Sequence, residues 1–259
     1  HWDQLVSPLL DRGDAKFRLR CLFNEIPATD LRFDAVSRAK WHGIELGIGP
    51  DALWGQIHSS ARRAIRKARS QGVTVRRASS KADVRAFFEL HRKVRKYKYG
   101  LLPQPYRFFE LIWDHLLEPG DGVLMLADHE GSVVGGILYL EWGDTLYYKY
   151  NASDTDQLRI RPNDLLIWEG ILHAMDRGLH LIDFGLSDWD QEGLLRYKRK
   201  YATREHTITL LDHVPPNMPS PTDQQIRALL PTITDLFVGG DVSDEVTEQA
   251  GAVLYRYFV

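Results

Sequence analysis

Residues 123–152 read VLMLADHEGSVVGGILYLEWGDTLYYKYNA, and this stretch decides the fold. Val123-Leu124-Met125-Leu126-Ala127 is a short apolar run with the length of a strand. Asp128-His129-Glu130-Gly131 reads as a hairpin turn, 133–142 as the returning strand, Gly143-Asp144 as a second tight turn and 145–152 as a third strand. Upstream lie a short strand at 73–75 and two helices, 83–97 and 106–117. The helices carry Val84, Phe87, Phe88, Leu90 and Phe108, Phe109, Ile112, Leu116 at helical spacing. Downstream, 162–177 is predicted helical, with Pro162 in its first turn and Gly178 just past its end. A strand at 181–184, a helix at 192–200 and a strand at 207–211 complete the order β-α-α-β-β-β-α-β-α-β. This is an α/β arrangement, a mixed sheet flanked by helices.

The chain before Val73 echoes its end. Leu5, Leu9 and Leu10 suit a short amphipathic helix ending near Gly13. Residues 17–23 alternate apolar and basic, 30–39 are predicted helical, and 41–46 alternate again. Helix, strand, helix, strand over 2–46 repeats the last four elements of the later order. Residues 1–50 are therefore expected to be the C-terminal part of a first lobe, forming an incomplete second sheet packed on the first; the alternative is an unrelated extension. Because the chain opens His1-Trp2-Asp3, without Met, this repeat predicts a piece of a longer protein. Residues 51–72 are expected to form one connecting basic helix, with Asp51 as N-cap and Gly72 as stop. Residues 73–214 form the main domain. Within 215–259, PPNMPSP at 215–221 is a stiff linker and the rest a helical tail, whose aromatics at 255–258 dock on the main body.

Composition narrows the function. A chain of 259 residues fits one large domain or two smaller ones. With 44% hydrophobic and 26% charged residues it is neither disordered nor fibrous. A net charge of -2 excludes a globally basic nucleic-acid binder but leaves room for a local basic patch. One cysteine, Cys21, allows no internal disulfide and no cysteine-rich zinc cluster, which suits a reducing compartment. No apolar run is long enough to span a bilayer and no secretory leader is visible, so a cytoplasmic location is expected. The ten histidines show no metal-ligand spacing. Nucleophile elbow, P-loop and dinucleotide fingerprint are absent, which argues against metal, flavin and nicotinamide chemistry.

Several residues carry chemistry on their own account. Asp183, at the end of an apolar strand, is a candidate general base or amine-orienting carboxylate; it is equally suited to cap the next turn as an Asx motif. Asp188 and Trp189 in the following loop are candidate substrate contacts. From Ala61 to Ala78 there are seven Arg or Lys and no acid, with Arg62, Arg66 and Arg69 on one helical face. Arg92, Lys93, Arg95, Lys96 and Lys98 add a second cluster. Such a patch suits a polyanion (tRNA, a nucleotide-linked sugar or an anionic lipid at a membrane surface), or it is a solvated helix face. Tyr147, Tyr148 and Tyr150 alternate across the central strand, so some of them are core, and Tyr148 and Tyr150 are further candidate substrate contacts, as are Arg62 and Arg66.

Four segments together resemble the FemAB-like branch of the GNAT acyltransferase superfamily: SARRAIRKARSQGV at 60–73, RPNDLLIWE at 161–169, IDFGLS at 182–187 and GLLRYKRKY at 193–201. Their order and spacing are similar to the family over about residues 53–211. The element order is also that of the GNAT-type fold, here read as a tandem with its first copy incomplete. The resemblance implies an N-acyltransferase that moves an acyl group from acyl-CoA or a similar donor to a primary amine of a small-molecule, cell-envelope or polysaccharide precursor. An alternative is an aminoacyl-tRNA-dependent transferase making a peptidoglycan-type bond, and another is a non-catalytic binding module with a basic groove. The family keeps an aromatic-lysine pair where this chain has Tyr197 and Lys198, which implies that Lys198 stabilises the oxyanion or grips the donor. Tyr197 and Tyr201 are the phenols implied as general acid. GNAT enzymes cradle the donor pyrophosphate at the start of the helix after the central strand. Here that stretch lacks glycine, Pro162 has no N–H and Asp164 adds negative charge, leaving Arg159, Arg161 and Asn163 as the candidate donor contacts.

Overall fold

The computed structural model of the chain describes residues 1–13, 16–22, 24–216, 218 and 221–257. Its centre is the expected meander. β4 (Gly122–His129), β5 (Ser132–Trp142) and β6 (Thr145–Ser153) run antiparallel in sequence. The first hairpin turns at Glu130 and Gly131, whose φ values of 50° and 78° are the left-handed pair a tight two-residue turn requires. β3 (Thr74–Arg77) borders β4 at one end. β7 (Leu181–Ser187) lies parallel to β6 at the other, reached through helix α6 (Pro162–Asp176), the crossover that a parallel pair needs.

Both faces of the meander are covered, so its strands alternate between two cores instead of between core and water. Val123, Met125, Ala127, Ile137 and Tyr139 pack with α6 and with α3 (Ser59–Ser70). Leu124, Leu126 and Leu138 pack with α4 (Lys81–Lys93) and α5 (Tyr106–Ile112). Both α4 and α5 end in a π-helical turn, 94–98 and 113–117.

The first fifty residues do not make a second sheet. After α1 (Trp2–Leu10), β1 (Phe17–Cys21) and β2 (Asp34–Glu45) extend the main sheet together with β8 (Arg204–His213): β2 pairs with β7 and carries β8, which in turn pairs with β1, in the order β1-β8-β2-β7-β6-β5-β4-β3. Where a helix was expected at 30–39, a turn leads into the first half of β2, because Asp34 to Gly43 pairs antiparallel with β8, with one bulge at Val36. Phe23, the end of the expected first strand, lies outside the described residues. The single long helix expected at 51–72 is two: α2 (Pro50–Gln56) stops at Ile57 and α3 starts after His58, both extended. The His58 amide donates to the Lys200 carbonyl at 2.8 Å while its ring Nδ1 accepts from the Ser60 amide, so the break is fixed from both sides.

α7 (Glu192–Lys198) precedes β8, and α8 (Pro221–Val238) with α9 (Asp244–Leu254) closes the chain. Asn217, Pro219 and Ser220 of the expected linker and Phe258 of the tail are outside the described residues. Tyr255 does dock, with its ring 6.3 Å from that of Phe108.

Candidate functional site: a cleft where two parallel strands part

β6 and β7 pair only at Thr145 with Leu181, Leu146 with Ile182 and Tyr147 with Asp183. Beyond that point β6 continues to Ser153 and β7 to Ser187 without further pairing to each other, each still paired on its far side. A bulge on β6 accompanies the parting: Leu138 opposes Tyr150 and Tyr139 opposes Tyr148, leaving Lys149 extra. The bulge sends the two neighbouring tyrosines to opposite faces. Tyr150 joins His91, Phe108 and Phe109 under α4 and α5. Tyr148 packs on Tyr139 and Phe184 on the α6 side. Between the separated strands lies a cleft of about 590 Å³, with Tyr148, Asn163, Phe184, Tyr197 and Lys198 in its walls.

Lys198 is buried, at 6% exposure, and its ammonium is placed by backbone. Nζ donates to the carbonyls of Gly185 at 3.2 Å and Leu186 at 2.9 Å. Gly185 sits at φ 66°, a left-handed conformation in mid-strand that swings its carbonyl toward α7. Desolvation lowers the Lys198 pKa to about 8, partly opposed by the charge of Asp183. The group is thus a poised cation with one N–H left for a ligand.

Behind it is a run of phenols. Tyr197 lines the cleft, and its buried hydroxyl has no hydrogen-bond partner of good geometry among the described residues. It lies near enough to Tyr201 to ease that neighbour's ionisation slightly against the effect of burial, with ring centroids 5.8 Å apart. Tyr201 is wholly buried and donates to Asp164 Oδ1 at 2.5 Å. Burial raises the pKa of Asp164, the Tyr201 hydrogen bond opposing it, and burial drives both phenols upward. The partnership of Asp164 with Tyr201 is one that the sequence reading missed. Read there as charge facing a donor phosphate, Asp164 instead turns inward from the first turn of α6.

Other expected residues lie elsewhere. Asp183 accepts the Gly185 amide at 2.5 Å through Oδ1, the Asx turn that was its alternative reading, and stands outside the cleft lining. Asn163 lines the cleft, with Oδ1 accepting from Asn151 Nδ2 at 3.0 Å and Ser153 Oγ at 2.6 Å. Arg159 and Arg161 are exposed just before α6, Arg161 at φ 65°. Arg62 donates to the carbonyls of Trp54 and Gly55, and Arg66 lies over the Trp54 ring, so these two face α2. Asp188 and Trp189 are exposed. Trp189 borders a second cavity of about 550 Å³ on the other flank of α7, with Ser60, Arg196, Arg199 and Lys200.

The second basic cluster is not an open patch. Arg92 and Lys96 are buried against acids of α9, and Arg95 donates to the Leu102 carbonyl at 3.1 Å. Among the described residues no three His, Cys, Asp or Glu side chains are grouped to hold a metal ion, and no helix is long and apolar enough to cross a membrane.

Comparison with known proteins agrees with this architecture. Over 83 residues the chain is 31% identical to a lipid II:glycine glycyltransferase of Staphylococcus epidermidis, covering 30% of this chain and 20% of that protein. It thus spans about a fifth of the length of the curated relatives it matches. In three dimensions it is similar to the crystal structure of FemX, with a TM-score of 0.59 at 19% identity over 86% of this chain and 70% of the other. It is also similar to the structure of L-PGS from Bacillus licheniformis, with a TM-score of 0.54 at 9% identity over 90% of this chain and 70% of the other. These structural likenesses are of fold, and they agree with the GNAT-type architecture expected from the element order. Residues 56–199, more than half the chain and all of the sheet from β3 to β7, match the family described as Acetyltransferase (GNAT) domain. The chain belongs to that family.

Proposed function

We propose that the protein is an N-acyltransferase that moves an acyl group from an activated donor to a primary amine in the cleft between β6 and β7. The observation that carries this reading is Lys198, a buried ammonium held by two backbone carbonyls in the wall of that cleft. In the reaction the amine nitrogen attacks the acyl carbon, the carbonyl oxygen becomes an oxyanion, and collapse breaks the bond to the leaving group. A fixed cation beside the developing oxyanion acts where charge appears and needs no reorganisation. Tyr197, which lines the same wall, returns a proton to the leaving group in this reading.

For the donor we favour acyl-CoA or a related thioester. The edge of Tyr148 to Ser153 that faces the parted β7, the other edge being paired with β5, can bind an amide-bearing chain as an added strand. Asp164, turned inward, puts no exposed carboxylate at the start of α6, and Arg159 and Arg161 stand there for phosphate. A second reading, transfer from aminoacyl-tRNA to a peptide or lipid-linked envelope precursor, is supported by the partial identity to the glycyltransferase. Mass spectrometry of a panel of amines incubated with the protein and either acetyl-CoA or glycyl-tRNA tests both. Acylated product with one donor selects it, and no product with either favours a binding module.

A further inference from the structure

The C-terminal helix reaches the cleft without touching it. Arg92 on α4 and Lys96 in the π-helical turn after it are 6% and 2% exposed, and buried cations must be paired. Arg92 pairs with Glu89 Oε2 of its own helix at 2.6 Å, and the other partners come from α9 and the turn before it. Arg92 meets Asp244 Oδ2 and Glu248 Oε2, each at 3.0 Å. Lys96 Nζ meets Asp244 Oδ1 at 3.2 Å and donates to the Val242 carbonyl. The Tyr97 hydroxyl donates to the same Asp244 Oδ1 at 2.8 Å. One carboxylate thus gathers three side chains spanning only six residues. The next two residues, Lys98 and Tyr99, line the cleft together with Tyr197 and Lys198 of α7. Farther along, Gly251 of α9 sits so close to the Pro103 carbonyl that no Cβ fits between them. Residues 92–103 are therefore held on one side by α9 and present the cleft wall on the other.

We infer that Asp244 is a positioning residue for the cleft: by binding Lys96 and Tyr97 it sets the place of Lys98 and Tyr99. The inference concerns the cleft to which acyl transfer is assigned above, and its test does not depend on turnover. Hydrogen–deuterium exchange on the intact chain compares wild type with Asp244→Asn, Asp244→Glu and Tyr97→Phe. With Asp244→Asn, amides of 95–102 should exchange about tenfold faster or more while the strands over 122–153 keep their protection, as expected of a local opening. Asp244→Glu should restore most of the protection. Tyr97→Phe, which removes one hydrogen bond from an exposed ring, should give a smaller rise in the same segment and decides the matter if Asp244→Asn does not fold. Unchanged exchange over 95–102 overturns the inference, and so does an equal rise over 122–153, which is a plain loss of stability. In an acyl-transfer assay, Asp244→Asn should raise a Michaelis constant with kcat within about twofold; a fall in kcat alone also overturns it.

Discussion

The Tyr201 hydroxyl donates to Asp164 at 2.5 Å, tying the turn after α7 to the first turn of α6 beneath the cleft. The carboxylate sits where a helix favours negative charge, yet it is too buried for water to solvate it. Tyr201→Phe would leave it without its donor. The variant should lose about 1–3 kcal/mol in urea denaturation, and adding Asp164→Asn should recover part of that loss. Unchanged stability in Tyr201→Phe would mean that the bond contributes nothing.

Lys198→Ala should lower kcat about 10²-fold, the scale of one lost oxyanion donor, with the acceptor Michaelis constant nearly unchanged. The wild-type rate also carries a sign. The ammonium is the active form, so activity is present below a pKa of about 8 and declines as pH rises through it. The variant should lack that alkaline limb. A loss confined to the donor Michaelis constant would make Lys198 a donor anchor instead.

Gly185→Ala tests the carbonyl that holds Lys198. An L-residue at φ 66° costs about 1–2 kcal/mol, so thermal unfolding should move down by several degrees. Relief of the strain would turn the carbonyl away from Nζ, and kcat should fall together with stability.

His91 predicts how the fold responds to acid. Its ring is buried among Phe87, Phe109 and Tyr150, with Nε2 2.6 Å from Gln104 Oε1 and Arg95 nearby. Burial lowers its pKa from 6.5 to about 4. The unfolded chain takes up the proton first, so stability is intact above pH 6.5 and is lost progressively down to about pH 4. The loss amounts to about 3 kcal/mol from this group. His91→Gln should flatten that part of the stability curve measured by denaturant titration at several pH values.

The meander and the α6 crossover were legible because their signals are local: apolar runs, a Glu-Gly turn, Pro162 at a helix start. The failures share a cause. Residues 30–39 fit a helix as well as a strand, and only the pairing of Asp34 to Ala39 with β8, far along the chain, decides between them. Arg92 to Lys98 looked like an open basic patch because its neutralising acids, Asp244 and Glu248, come about 150 residues later. Lys198 stood out only through its resemblance to a family motif. The Gly185 twist that holds it, and the partnership of Asp164 with Tyr201, exist only once α7 lies across the sheet.

The place of β8 bears on how the chain can be cut. Its two neighbours, β1 and β2, both come from the first forty-five residues, while β8 itself follows the cleft helix α7. A fragment beginning after Glu45 would strip β8 of hydrogen-bonded neighbours on both sides and bare an edge of β7 directly beside Lys198. A fragment limited to the span that matches the family should therefore be less stable than the whole chain, because the N-terminal segment supplies strands to the sheet on which the cleft is built.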